Sequence, residues 1–422
     1  MEGFVEGGTL PDGRSKKVCL LAKSLEGLKQ SGNQAQHNNV EHITGPCGLT
    51  QLEHEPTMFR LATSHGGKTY LLILLVWVDD IFAGFTRGSR ALTLLPFYET
   101  YSKRFPAKLL GSVRRFVGLE YISSPDSTII SQETFISTMV PKFVSKELLA
   151  KKTELPATRQ SRDNDPYAPL LEQILKKTGE ATDKPFLSAL ASGMYAAVYT
   201  RGDCMFHLNF LARFSQRPTV DAWDALVIVL TYMHQTRRRC VLTYTSRPPA
   251  MPNMPSCKPP LNAAVYTKLR GLLIISDASW KTDSTYAAFF ILYAGAAVDW
   301  ASVLLKVQCS SAEAEIGAGC IASRRAIYLR NVLAELFGSF PQIAISHVVD
   351  NSATPPLTEN LGVSKKTEHF RRWLHFMRYC VLHGYTYVHL CTTEDMLADP
   401  MTKVANKHAF LTFVKVFFNI RN

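Results

Sequence analysis

The chain has 422 residues, 46% of them hydrophobic, and its 47 Lys and Arg against 35 Asp and Glu give a formal net charge of +12 and a pI near 9.2. That apolar content excludes a disordered chain and the length accommodates two or three domains, while the positive charge favours a polyanionic partner such as nucleic acid. Nine cysteines without a Cys-x-x-Cys spacing exclude a zinc ribbon and a small disulfide framework, so reduced, intracellular thiols are expected.

Residues 1 to 17 are Gly-rich and charged, without the basic start and apolar core of a secretory signal. Val18 to Leu21 predicts a short strand leading into a helix, with Lys23 and Lys29 available for phosphates or simply solvated. The apolar run from Leu71 to Val78 is too short for a membrane span, which needs about 20 residues, and predicts a buried strand. Asp79 and Asp80 interrupt it and Ile81 to Phe85 resumes it, which places the acidic pair in the tight turn of a β-hairpin. The pair fits a solvated turn, because Asp favours turns. Buried, it requires a compensating cation, and Mg²⁺ held by one or two carboxylates plus substrate phosphates is the common solution.

Thr153 to Lys184 is polar and Pro-punctuated, a loop or linker. Trp223, Leu226, Val227, Leu230 and Met233 then recur at helical spacing behind Pro218 and Thr219, which predicts a helix with a buried stripe. Arg237, Arg238 and Arg239 close that helix, where they favour its dipole and are available to a phosphate backbone. Six prolines between Pro248 and Pro260 predict an extended spacer and a domain boundary.

Beyond the spacer, Asp277 ends the apolar strand Leu272 to Ile275, and Ala287 to Leu305 reads as two strands broken by Gly295 and Asp299. Ser310 three residues before Glu313 is a capping-box signature, so Glu315 falls early in a helix. Asp350 follows the strand-like run Ile343 to Val349, and Asp399 precedes Pro400 at a turn or helix boundary. Singly, each acid fits an ordinary strand end, helix face or cap. Jointly they differ, because carboxylates converging from separate elements repel one another and are usually assembled to hold two Mg²⁺ ions for phosphodiester hydrolysis. Between the third and fourth acids, Thr367 to Leu382 predicts a two-faced helix, with Arg371, His375 and Arg378 on one stripe suited to a duplex backbone or to solvent.

The wording of these stretches resembles copia-type retrotransposon Pol polyproteins from about Val18 to about Lys403. Trp77-Val78-Asp79-Asp80 is similar to the palm hairpin of reverse transcriptases, and the Ser24 to Gln30 stretch to the motif before the palm, with Glu26 where the family has Tyr. Arg114 to Ser124 and Ile129 to Val140 resemble the palm-to-thumb passage. Met194 to Asp203 and Leu208 to Thr219 resemble the connection, with Gly202 where Pro is usual. SDASW, SSAEAEIGA, VDNSA and LADPMTK resemble the RNase H motifs of the same elements.

The resemblance implies a multidomain α+β and α/β fold. A truncated palm and start of thumb would occupy residues 1–152, a linker and helical connection 153–240, the spacer 241–268, and an RNase H-like mixed sheet with helices 269–422. It implies that Asp79 and Asp80 are palm metal ligands, and that Asp277, Glu315, Asp350 and Asp399 form a hydrolytic quartet. Glu315 is chosen over Glu313 because Ile316-Gly317-Ala318 follows it as in the family's Glu-Tyr-x-Ala. The resemblance also places His369 at a family position near the active site, and Lys29, Lys365, Lys366, Arg371, His375 and Arg378, read from their placement in the sequence, are the further candidates for nucleic-acid contact.

The implied ions are Mg²⁺, or Mn²⁺ in its place. The implied partners are an RNA–DNA hybrid, a template–primer and other Pol products, with no membrane, in a cytoplasmic virus-like particle or the nucleus. Family palms take a third carboxylate from an Asp-Val-x-x-Ala-Phe stretch that residues 1 to 17 do not contain. Hydrolysis of RNA in hybrids is therefore the expected activity and polymerisation is doubtful; a degenerate or co-opted relic that binds nucleic acid without catalysis is the alternative.

Overall fold

The computed structural model describes residues 4–9, 15–19, 31–157, 165–280, 284–305, 308–360, 362 and 365–420, with side chains from residue 32 onward except that of Lys366. The predicted helix after Leu21, with Lys23 and Lys29, lies outside them. The architecture is mixed α/β with several sheets, and the chain divides into two compact units, Met1–Gly111 with Val332–Ser339 and Ser112–Asn331 with Phe340–Asn422. Among the described residues no helix is long and apolar enough to cross a membrane.

In the first unit, β1 (Phe4–Thr9) and β2 (Ser15–Cys19) form an antiparallel ribbon. A four-stranded antiparallel sheet follows in chain order: β3 (Thr50–Gln51), β4 (Met58–His65), β5 (Lys68–Trp77) and β6 (Asp80–Phe85). The apolar run in β5 is buried more deeply on one face than on the other: Leu72 and Leu74 are fully buried, while Leu71, Ile73 and Leu75 are half-buried, Ile73 against Leu52, Val332 and Leu336. Leu72, Leu74 and Phe59 pack with Ile43 of α1 (Ser31–Thr44) and with Leu94, Phe97 and Tyr101 of α2 (Leu94–Ser102).

The second unit contains the antiparallel strands β7 (Arg115–Phe116), β8 (Leu119–Ser123), β9 (Ser127–Ser131) and β10 (Leu242–Thr245), with β10 beside β9. Between β9 and β10 lie the helices α3 (Phe186–Tyr199), α4 (Met205–Leu211) and α5 (Val220–Thr236), and a helix at Ala168–Lys176, led by Pro169, falls inside the stretch expected to be a loop or linker. Thr219 caps α5 by accepting the Ala222 N–H, and the predicted stripe from Trp223 to Met233 is buried. At the C-terminal end of α5, Arg237 donates to the His234 carbonyl at 2.6 Å and Arg238 pairs with Glu133.

The unit's five-stranded sheet has the order β13-β12-β11-β14-β15. β11 (Leu273–Ser279), β12 (Thr285–Tyr293) and β13 (Ala296–Leu305) form an antiparallel meander, and β14 (Ile345–Val349) and β15 (Thr386–Leu390) run parallel to β11. A parallel neighbour requires a crossover, and α6 (Ser311–Phe337) and α7 (Arg371–Leu382) supply those before β14 and β15. The last helix, α8 (Lys407–Phe418), lays Phe413 and Phe417 against Phe290 of β12.

Gly202 explains a departure noted in the sequence. A side chain there would collide with Trp300 and Phe417, so the backbone passes this core only without one. Beside it, Arg201 and Asp203 form a buried ion pair at 2.7 Å. The Arg201 guanidinium also donates to the Met233 carbonyl and the Thr236 hydroxyl, both at 2.8 Å, and Tyr232 donates to Asp203 at 2.8 Å. Arg201→Met strands the Asp203 charge in an apolar core and should cost about 3–5 kcal/mol, whereas Arg238→Met at the exposed pair should cost under about 1 kcal/mol. Urea midpoints of the two variants check this, and equal losses would refute the distinction.

Candidate active site

Asp277 sits on a strand that is apolar for a structural reason. β11 is central in the five-stranded sheet, and Leu273, Ile274 and Ile275 are fully buried. Two residues on, Asp277 is only 2% exposed. The parallel register pairs Ile275 with Val348, so Asp350, just past β14, comes level with Asp277. Glu315 arrives from the first turns of α6. Ser310 accepts the Glu313 N–H at 3.1 Å, and Glu313 accepts the Cys309 N–H at 2.6 Å, which fixes where the helix starts. Carboxylate oxygens of Asp277, Glu315 and Asp350 lie within 4.8 Å of one another. Asp399, in a 3₁₀ turn, brings a fourth carboxyl within hydrogen-bonding reach of Asp277.

The surroundings partly offset this repulsion. Ala278 N–H donates to Glu315 Oε1 at 3.3 Å, Thr402 donates to Asp277, Thr393 donates to Asp350 at 3.0 Å, and Lys403 pairs with Asp399 at 2.8 Å. Glu315 Oε2 is buried and has no protein partner. Burial, with the Asp399 and Asp350 charges, pushes Asp277 up from 3.8 to about 7. Burial, then Asp277 and Asp350, likewise raises Glu315 well above its ordinary value, and burial raises Asp399 against the opposing pull of Lys403. Crowded carboxylates, with Glu315 Oε2 orphaned among them, offer the all-oxygen donors that suit a hard divalent cation. Behind them His347 is held by Ser276 at 2.8 Å and Ser323 at 3.3 Å, and burial lowers it to about 3, so it is neutral and structural.

The other sequence-predicted residues are not gathered here. Asp79 and Asp80 lie in the first unit and are exposed, with Val78 and Asp79 forming the turn and Asp80 opening β6 opposite Trp77. Val78 has φ +53°, which strains a β-branched residue. Among the described residues Asp79 and Asp80 belong to no group of three or more metal-ligating side chains. Lys365 is exposed in a 3₁₀ turn, Lys365–Phe370, that also carries His369, half-exposed and 3.4 Å from Glu313.

Arg371 and His375 share an exposed face, 3.2 Å apart, but Arg378 does not join them. It is 3% exposed and donates to the carbonyls of Leu357 and Gly362 at 2.9 and 2.8 Å. The spacing of four and three residues reads as a solvent stripe, and the carbonyls of Leu357 and Gly362 take up its far end. Lys403 and Thr402 escaped the sequence reading; the signal was Lys403 four residues after Asp399 in one short turn.

Residues 5–155 match the family profile "Reverse transcriptase (RNA-dependent DNA polymerase)". That segment is similar to reverse transcriptases. The chain's relatives are copia-type: it is 25% identical to the retrovirus-related Pol polyprotein from transposon TNT 1-94 of Nicotiana tabacum over 94% of this chain and 28% of that protein. It is 25% identical to the Pol polyprotein from transposon RE1 of Arabidopsis thaliana, over 96% and 25%. Against the transposon Ty1-GR2 Gag-Pol polyprotein of Saccharomyces cerevisiae the identity is 22%, over 93% and 21%. The chain spans about a quarter of the length of these curated relatives. The profile covers the Asp79–Asp80 hairpin, and the buried acids lie beyond it. The family uses nucleic-acid substrates and divalent metals.

The elevated Asp277 sets a pH signature. Between about pH 4 and about pH 7 an unfolded chain ionises this group while the metal-free folded chain keeps it protonated. The folded state then binds more protons, and its stability falls as pH rises through that window. The expected loss is on the order of a few kcal/mol, read from denaturant midpoints of chelator-treated protein. Asp277→Asn should flatten the decline; an equally steep one would assign it to other groups.

Proposed function

We propose that the second unit hydrolyses the RNA strand of an RNA–DNA hybrid in an Mg²⁺-dependent reaction. The observation that carries this reading is the convergence of Asp277, Glu315 and Asp350 from two strands and a helix to within 4.8 Å, with Glu315 Oε2 unpartnered. The sheet supports it: an antiparallel meander followed by two parallel strands, with Asp277 inside the first strand and Asp350 just past the fourth, agrees with an RNase H-like topology. Mn²⁺ fits the same oxygens.

Asp277, Glu315, Asp350 and Asp399 would hold the ions. When bound, such a pair activates water and stabilises the leaving oxygen of a phosphodiester. The protein's own contribution is placement. Thr402 and Thr393 orient the Asp277 and Asp350 carboxylates, and the Ala278 N–H orients Glu315. Desolvation works against the Lys403 charge, but Asp399 and Asp277 keep its pKa above its ordinary value, so it stays cationic and offsets the acids where the anionic backbone must approach. Arg371 and His375 are exposed on the next helix for backbone contact, and selectivity for the RNA strand would rest on its 2′-hydroxyls. The hydrolytic chemistry is assigned here and not to the hairpin, because among the described residues no third ligating side chain groups with Asp79 and Asp80.

With Mg²⁺ and a labelled hybrid, the purified chain should cleave the RNA strand and spare duplex DNA. The Asp277→Asn, Glu315→Gln double variant should lose activity by about a thousand-fold or more, the equivalent of several kcal/mol of transition-state stabilisation. Hybrid binding without cleavage by the wild type would overturn the enzymatic reading and leave a non-catalytic nucleic-acid-binding relic.

A further inference from the structure

A second group of ligating side chains stands beside the acids and shares none of them. Cys309, Glu313 and His369 bring a thiol sulfur, a carboxylate oxygen and an imidazole nitrogen within 4.8 Å of one another. Cys309 and Glu313 flank the start of α6, and His369 reaches in from the Lys365–Phe370 turn. Glu313 is already held in place: it accepts the Cys309 N–H at 2.6 Å, and His369 Nε2 lies 3.4 Å from its Oε2.

The donor chemistry differs from that of the quartet. Four carboxylates suit a hard cation, whereas one sulfur, one nitrogen and one oxygen suit a borderline-soft ion. Zinc bonds of roughly 2.0–2.3 Å in tetrahedral array put ligand atoms about 3.3–3.8 Å apart. The His369–Glu313 separation already falls in that range, and Cys309 is exposed and free to rotate into it. Glu313 is 8% exposed, so the site has one buried ligand and two that face water.

We propose that Cys309, Glu313 and His369 form a site for a zinc-class divalent cation, with the fourth position open to water. On binding, the Cys309 S–H proton is released to solvent as the sulfur–metal bond forms, with no change of oxidation state. The ion ties the His369 turn to the start of α6, two residues before Glu315, and so braces the turn next to the acidic site. The inference does not depend on the hydrolytic reading.

Cobalt(II) titration of the whole chain tests it, because a thiolate ligand produces a near-ultraviolet sulfur-to-metal charge-transfer band that carboxylates cannot. The expected result is one equivalent of that band in the wild type and in the Asp277→Asn, Glu315→Gln variant, displaced by zinc and insensitive to excess Mg²⁺. Cys309→Ser should abolish it. His369→Ala should weaken cobalt binding at least about tenfold, the smallest loss typical even of residues that only support a ligand. Cys309 and His369 are exposed, so neither substitution disturbs the core. Absence of the band, its survival in Cys309→Ser, or unchanged affinity in His369→Ala would each overturn the proposal.

Discussion

Mutual repulsion among buried carboxylates is the constraint around which the second unit is arranged. Two unit charges 4.8 Å apart repel by about 3 kcal/mol at an effective dielectric of about 20, and burial adds a desolvation cost to each. No sheet assembles Asp277, Glu315 and Asp350 for stability. The neighbours limit the damage: Lys403 against Asp399, hydroxyls on Asp277 and Asp350, a backbone N–H on Glu315. None removes it, as the elevated Asp277 shows. The surrounding fold must therefore be stable enough to carry the strain.

It is carried by features with no role in the site chemistry. β11 is hydrogen-bonded on both sides, antiparallel to β12 and parallel to β14, so Asp277 cannot withdraw without breaking two ladders. The neutral His347 between Ser276 and Ser323 ties β11, β14 and α6 together one layer behind the acids. The Arg201–Asp203 pair, satisfied by Thr236, Tyr232 and the Met233 carbonyl, pins the chain where Gly202 meets Trp300 and Phe417.

The elements most legible in the sequence were those set by local pattern. Asp277 at the end of an apolar run, Glu315 behind a Ser310 cap and Asp350 after a strand all lie where spacing put them, and the Trp223 to Met233 stripe is buried. Long-range pairing was not legible. Nothing near Arg378 announces the carbonyls of Leu357 and Gly362 that bury it. Lys403 reads as one lysine among many until the turn at Asp399 folds it back. The run before Asp79 also reads as equally buried on both faces, because hydrophobicity cannot report which side of an antiparallel sheet packs more deeply.

The two acidic constellations differ most in solvation. Asp79 and Asp80 stand at an exposed hairpin tip, so their charges are hydrated and cost the fold little. A cation there must give up water for two carboxylates, with substrate phosphates completing its shell. Asp277 and Glu315 have already been desolvated by folding, so an arriving cation relieves a penalty that the protein bears in its absence. Cation binding at the hairpin would depend on substrate, whereas at the buried acids it would draw largely on the fold itself. The same residue type thus stands in two environments, distinguished by the elements that bury one set and leave the other at a turn.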